Sequence, residues 1–302
     1  MIRHLLPALL LTAAAAQADP HPDASRVLSI GGAVTEIVHA LGQQDRLIAR
    51  DTTSSHPPSV MQLPDVGYMR ALSAEGVLST RPDLILAEED AGPPEVVEIL
   101  RDAGIPFETI PGGTDADALA ARIEAVADAL GVPQAAAGPV ASLRADLAAA
   151  AEATQGQTPA RVMFILSVQG GRIMASGRGT EADAMIRLAG ATNAIDAFDG
   201  YKPVTDEAIL AAAPEAILMM DRGEATASHG APDDELLAMP ALQPTPAARD
   251  GRVIRMDGLY LLGFGPRTGQ AARDLHEAIY GPADDGAASD RPANDGAADG
   301  HG

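Results

Sequence analysis

The sequence predicts an α/β protein built as two Rossmann-like α/β lobes joined by a long rigid helix, with a ligand held in the cleft between the lobes. Three observations predict it. Short apolar runs alternate with helical stretches over residues 26–111 and again beyond Pro159, the pattern of parallel sheets layered with helices. Between those regions, residues 115–155 read as nearly continuous helix rich in alanine, leucine and charged side chains. Residues 206–218 also align without gaps on residues 74–86, both carrying Glu-x-x-Leu-x-x-x-Pro. Two lobes of one plan leave a cleft between them, a favoured place for a ligand.

The elements follow in order. Arg3 and His4 precede the apolar run 5–16, and Ala16-Gln17-Ala18 is a small-x-small cleavage site, so residues 1–18 read as a secretory signal peptide. Its apolar stretch falls short of the roughly 20 residues a membrane-spanning helix needs. The mature chain is therefore expected outside the cytoplasm, in the periplasm of a Gram-negative source. The first lobe is expected over residues 26–131, with strands at 26–30, 47–49, 84–87 and 107–110 and helices at 35–41, 73–79 and 94–102. Gly42 stops the first helix, and Pro82 and Pro106 halt the chain just before strands. Gly131-Val132-Pro133 breaks the helical region, leaving a connecting helix within residues 132–157 that spans about 30 Å at 1.5 Å per residue. The second lobe is expected over 158–280, with apolar elements at 161–167, 184–189, 206–212, 216–220 and 253–256. Residues 281–302 hold five aspartates and one arginine among Gly, Ala and Pro. Such an acidic tail cannot bury a core and is expected to be disordered.

Composition excludes several functions. With no cysteine the chain has no disulfide framework, no thiolate metal site and no thioether-attached haem. A formal charge of −21 argues against nucleic acid and anionic membranes as partners. Aromatic residues make up 3% and tryptophan is absent, which disfavours a carbohydrate-stacking site. Ser29 and Ser167 lack a G-x-S-x-G setting, no Walker lysine is present, and Glu88-Glu89-Asp90 reads as a solvated acidic loop. The chain does not read as an enzyme.

The candidate ligand chemistry lies in Leu63-Pro64-Asp65-Val66-Gly67-Tyr68-Met69-Arg70, where one of only four tyrosines stands two residues from an arginine in a Pro/Gly-bounded loop. A neighbouring guanidinium favours the phenolate, and a phenolate is a strong oxygen ligand for ferric iron, haem iron included. A loop tyrosine satisfying its hydroxyl on the backbone is the other reading that the residues allow. Gly177-x-Gly179-x-x-Ala182 mimics a dinucleotide fingerprint but reads better as a tight turn feeding a helix capped near Thr180. The backbone of Gly179 and Thr180 could then face a carboxylate such as a haem propionate. Tyr201 and Tyr260 are candidate cleft walls, with core packing as the alternative. Histidines 39, 56, 229 and 276 show no metal-cluster spacing, and His229 is the one candidate second iron ligand.

The chain resembles the periplasmic haem-binding proteins of bacterial ABC haem importers, within the class that also binds siderophores and cobalamin. The resemblance rests on Ser29-Ile30-Gly31-Gly32 with Thr35-Glu36-Ile37, on residues 64–87, on Gly177-Arg178-Gly179-Thr180 with Ala182-Asp183-Ala184, and on residues 257–267. The stretch 65–76 is characteristic of the haem branch. The resemblance implies ferric haem b as transported ligand, Tyr68 as its axial tyrosinate, Arg70 hydrogen-bonding that oxygen, and Arg222 facing the haem from the second lobe. Ser167-Val168-Gln169-Gly170-Gly171 has no histidine where some relatives carry one, a departure that weighs against Tyr/His ligation. Glu75 and Glu207, equivalent in the two repeats, are the glutamates expected to dock on an inner-membrane ABC permease. An outer-membrane haem receptor upstream, a monomeric state and small interlobe movement complete the expectation. The alternatives are a ferric siderophore or cobalamin as ligand and, in another class, an exported scaffold or sensor.

Overall fold

The computed structural model describes residues 19–221 and 233–281. The expected signal peptide, Arg222, His229 and residues 282–302 lie outside the described residues. The first lobe carries β1 (Val27–Ile30), α1 (Gly32–Ala40), β2 (Leu47–Arg50), α2 (Ala74–Ser79), β3 (Leu84–Glu88), α3 (Pro94–Asp102) and β4 (Phe107–Ile110). Its strands run parallel in the order β2-β1-β3-β4. All four residues of β1 are buried, as expected of a central strand covered on both faces.

Helix α4 (Ala116–Ala129) is capped by Asp115, which accepts from the amides of Asp117 and Ala118. A short 3₁₀ turn, Pro133–Ala136, then leads into α5 (Ala137–Ala153). Gly131, at φ 71°, ends α4, and the Val132 amide turns back to Ala127 O at 2.8 Å.

The second lobe carries β5 (Arg161–Gln169), β6 (Arg172–Ser176), α6 (Glu181–Leu188), β7 (Thr192–Asn193), β8 (Tyr201–Val204), α7 (Asp206–Ala212) and β9 (Ala216–Asp221). It ends with α8 (Asp233–Leu237), α9 (Pro246–Arg249), β10 (Val253–Asp257), α10 (Gly258–Leu262) and α11 (Thr268–Tyr280). Here the simple repeat gives way. The order is β10-β9-β5-β6-β8, with β7 on β5, and β5-β6 and β6-β8 are antiparallel. Gly170 and Gly171, at φ 56° and 78°, make the two-residue turn that returns the chain as a hairpin.

The two sheets share one apolar core. Val34, Ile37, Leu86, Ile123 and Val126 from the first half are continuous with Leu143 and Ala150 of α5, and with Phe164, Leu218, Leu261 and Leu275 from the second. Helix α5 is thus no bare rod but one wall of that core. Helix α11 lies against it so closely that a Cβ on Gly269 would stand 2.5 Å from Asp146 Cβ. Arg273 bridges to Asp146 at 3.2 Å.

Polar ties cross at the same level. Arg267 forks onto Glu36 of α1 at 2.5 and 3.0 Å, and Glu36 is 6% exposed. The buried Arg122 of α4 donates to the carbonyls of Gly263 and Phe264, each at 3.2 Å.

Candidate functional site

The Tyr68 loop is pinned from β2 outward. The amide of Arg50 donates to Pro64 O, that of Val66 to Arg50 O and that of Thr52 to Gly67 O, so residues 64–67 run along the sheet edge like an added strand. The buried Arg50 side chain reaches Asp65 at 3.1 Å, and Asp65 accepts from the Gly67 amide and the Thr52 hydroxyl. Below the loop, Asp51 gathers the Gly31 amide, Ser54 and both polar groups of Thr53. The pattern of the sequence then decides what faces out. Val66, Met69 and Leu72 are buried, whereas Tyr68 and Arg70 between them are exposed.

Arg70 Nη1 donates to Tyr68 Oη at 2.8 Å, and its Nη2 is paired with Asp90. Partial burial alone would lower the Arg70 pKa, but the Tyr68 hydrogen bond and the Asp90 charge outweigh it and hold the guanidinium above its ordinary value. Asp90 sits in the turn leaving β3, and that turn is laced to the Tyr68 loop by Gly92 N to Met69 O at 2.8 Å and Leu72 N to Gly92 O at 3.0 Å. Tyr68, Arg70 and Asp90 therefore follow the carboxyl ends of β2 and β3, where open α/β sheets place ligands.

Glu88, expected in a solvated loop, is instead largely buried against the first turn of α1, where its Oε1 accepts from the Ala33 amide at 3.2 Å. Burial pushes its carboxyl up to about 7, and the Arg122 charge and the Ala33 hydrogen bond only partly oppose it. The solvated-loop reading fails because the end of β3 carries the side chain under α1.

Tyr201 of β8 lies near enough to Arg70 to feel its charge. Burial pushes its phenol up to about 12 with Glu181 adding to the shift, while hydrogen bonds to Thr180 and the Ala182 amide, and the Arg70 charge, oppose it. Tyr201 packs edge-on to Phe164 with ring centroids 6.3 Å apart.

The turn before α6 is engaged within its own lobe. The Gly179 amide donates to Asp183 Oδ2 at 2.9 Å, and Thr180 Oγ1 accepts from the Asp183 amide while meeting Ser176 Oγ. Asp183 thus occupies the position expected for a ligand carboxylate. Tyr260 is engaged too. Its hydroxyl donates to Asp274 at 2.9 Å and its ring lies under the Arg267 guanidinium at 4.7 Å, both partners within its own lobe.

Residues 27–259 match the family described as "Periplasmic binding protein". The chain belongs to this family. Among solved structures similar to this periplasmic binding protein is the periplasmic heme-binding protein BhuT in complex with two hemes, 43% identical, covering 84% of this chain and 97% of that one, with a TM-score of 0.79. Another is the periplasmic heme-binding protein RhuT from Roseiflexus sp. RS-1 in apo form, 39% identical, covering 85% and 98%, with a TM-score of 0.80. A vitamin B12-binding protein of Pectobacterium carotovorum is 26% identical over 211 residues, 70% of this chain and 75% of its own length.

In this periplasmic binding protein, Glu75 and Glu207 occupy the first turns of α2 and α7, both exposed. The caps match: Ser73 accepts from the Gly76 amide and Thr205 from the Ala208 amide. His276 is buried, with Nδ1 3.1 Å from Ala189 O. Burial, aided by His56, lowers the pKa of His39. Among the described residues no cluster of metal-binding side chains appears, and no helix is long and apolar enough to cross a membrane. Sequence reasoning missed Asp90. The signal available was its position, an acid just past a buried parallel strand.

Proposed function

We propose that this periplasmic binding protein captures ferric haem and delivers it to an ABC-type import permease. One observation carries the reading: an exposed tyrosine whose hydroxyl is held by a guanidinium 2.8 Å away, in a chain similar to heme-binding BhuT and RhuT. A ferric iron takes an anionic oxygen, and Arg70 supplies the positive charge that the bound phenolate needs. Tyr201, within reach of the Arg70 charge and hard to ionise, serves as a wall of the cleft. Arg222 is proposed to face the haem from the second lobe, and His229 is retained as a candidate second ligand. Glu75 and Glu207 are proposed as the permease contacts, one from each lobe, and residues 1–18 as the cleaved export signal.

Hemin titration tests the ligand. The expected result is a tyrosinate-to-iron charge-transfer band that vanishes in Tyr68→Phe with a loss of affinity. Unchanged spectrum and affinity in that variant would remove Tyr68 from the iron. The vitamin B12-binding relative motivates the second reading, in which Tyr68 only lines the cleft. Cobalamin binding that is tighter than hemin binding and insensitive to Tyr68→Phe would establish it instead.

A further inference from the structure

We propose that Asp90 is a positioning residue for the ligand, holding the Arg70 guanidinium in the orientation from which it donates to Tyr68. The inference rests on Tyr68 as the iron ligand for its functional meaning, and on geometry alone for the positioning itself.

The Arg70 and Asp90 side chains are about half exposed, at 51% and 44%. Exposed ion pairs usually contribute little, because two flexible side chains must be ordered to make them. Here the backbone has already done much of that ordering. The hydrogen bonds from Gly92 N to Met69 O and from Leu72 N to Gly92 O flank Arg70 on both sides, so the turn bearing Asp90 and the loop bearing Arg70 move as one body. Met69 and Leu72 are buried at 3% and 4% exposure and anchor the loop from beneath. A carboxylate fixed at that place accepts from Nη2 and leaves Nη1 aimed at the phenol oxygen. A guanidinium is planar, so fixing one nitrogen restricts the direction of the other. The side chain that donates to Tyr68 thus depends on a residue from a different crossover of the sheet.

The experiment has two arms. In the ligand-free protein, NMR relaxation of the Arg70 Nε–H group should report a rigid side chain in the wild type, a mobile one in Asp90→Ala, and recovered rigidity in Asp90→Glu. An Arg70 side chain equally rigid in Asp90→Ala overturns the proposal. In hemin titrations, Asp90→Ala and Arg70→Ala should each shift the charge-transfer band and weaken binding about tenfold, and the double variant should add nothing further. Where Tyr68→Phe weakens hemin binding, effects that add independently, or an Asp90→Ala protein that binds hemin as the wild type does, also overturn it. If hemin binding does not depend on Tyr68 at all while the NMR arm behaves as expected, the haem reading fails and the positioning role stands.

Discussion

A buried carboxylate at the end of β3 sets the first residue-scale expectation. Burial pushes the Glu88 carboxyl up to about 7 from an ordinary 4.5, so its charged form is the one the fold disfavours. The stability tied to its protonation is complete below about 4.5, and it is lost as pH rises through about 7. Glu88→Gln, which mimics the protonated side chain, should therefore raise unfolding free energy at pH 8 by at most about 3 kcal/mol, and the gain should disappear by about pH 4.5. Denaturant melts across that range check it; a gain that grows on acidification contradicts the assignment. Gly67 sets the second. Its φ of 101° is strained for any side chain, although nothing lies within 4 Å of a Cβ built there. Gly67→Ala should cost roughly 1–3 kcal/mol through backbone strain alone, readable as a lower melting temperature, and should weaken hemin binding by displacing Tyr68. The Tyr68 loop was legible in the sequence because proline and glycine bound it and apolar residues alternate with Tyr68 and Arg70. The partner Asp90 was not. It comes from another crossover, and beside Glu88 and Glu89 it looks like one more solvated acid.

At the scale of elements, the repeated Glu-x-x-Leu-x-x-x-Pro pattern folds into two short helices with matching caps, α2 and α7, each presenting a glutamate in its first turn. A helix N-terminus suits a carboxylate, so local structure explains Glu75 and Glu207 one at a time. Their exposure and equivalence in the two lobes are what fit a two-sided partner. Charge reversal of both, Glu75→Lys with Glu207→Lys, should abolish the stimulation of permease ATP hydrolysis by the haem-loaded protein and leave the hemin spectrum unchanged. Retained stimulation would place the contact elsewhere. The first sheet was readable from alternation because every strand in it is parallel and separated by a helix. The second was only partly so: β7 has two residues, β8 carries Pro203, and β6 returns from β5 as a hairpin in place of a helical crossover. Gly170-Gly171 between two apolar runs was the signal for that hairpin, and the expectation of a strict repeat obscured it.

For the whole molecule the question is how far the lobes move. A connecting helix alone would leave each lobe free to swing about its ends. In this fold α5 is packed under α11 by the close approach at Gly269, the core runs without a break between the sheets, and the buried Glu36 is held by Arg267 across the junction. Opening the cleft widely would strip Glu36 of its partner, and an unpaired buried charge costs about 3–5 kcal/mol. Arg122, bonded to the carbonyls of Gly263 and Phe264, would lose its acceptors in the same motion. Small-angle scattering should accordingly give nearly equal radii of gyration with and without hemin. Arg267→Ala should lower thermal stability and let the two radii diverge, because it removes the tie without touching Tyr68. A large compaction of the wild-type protein on adding hemin would show that these ties break in normal use, and the stiff junction inferred from Glu36, Arg122 and Arg267 would be wrong.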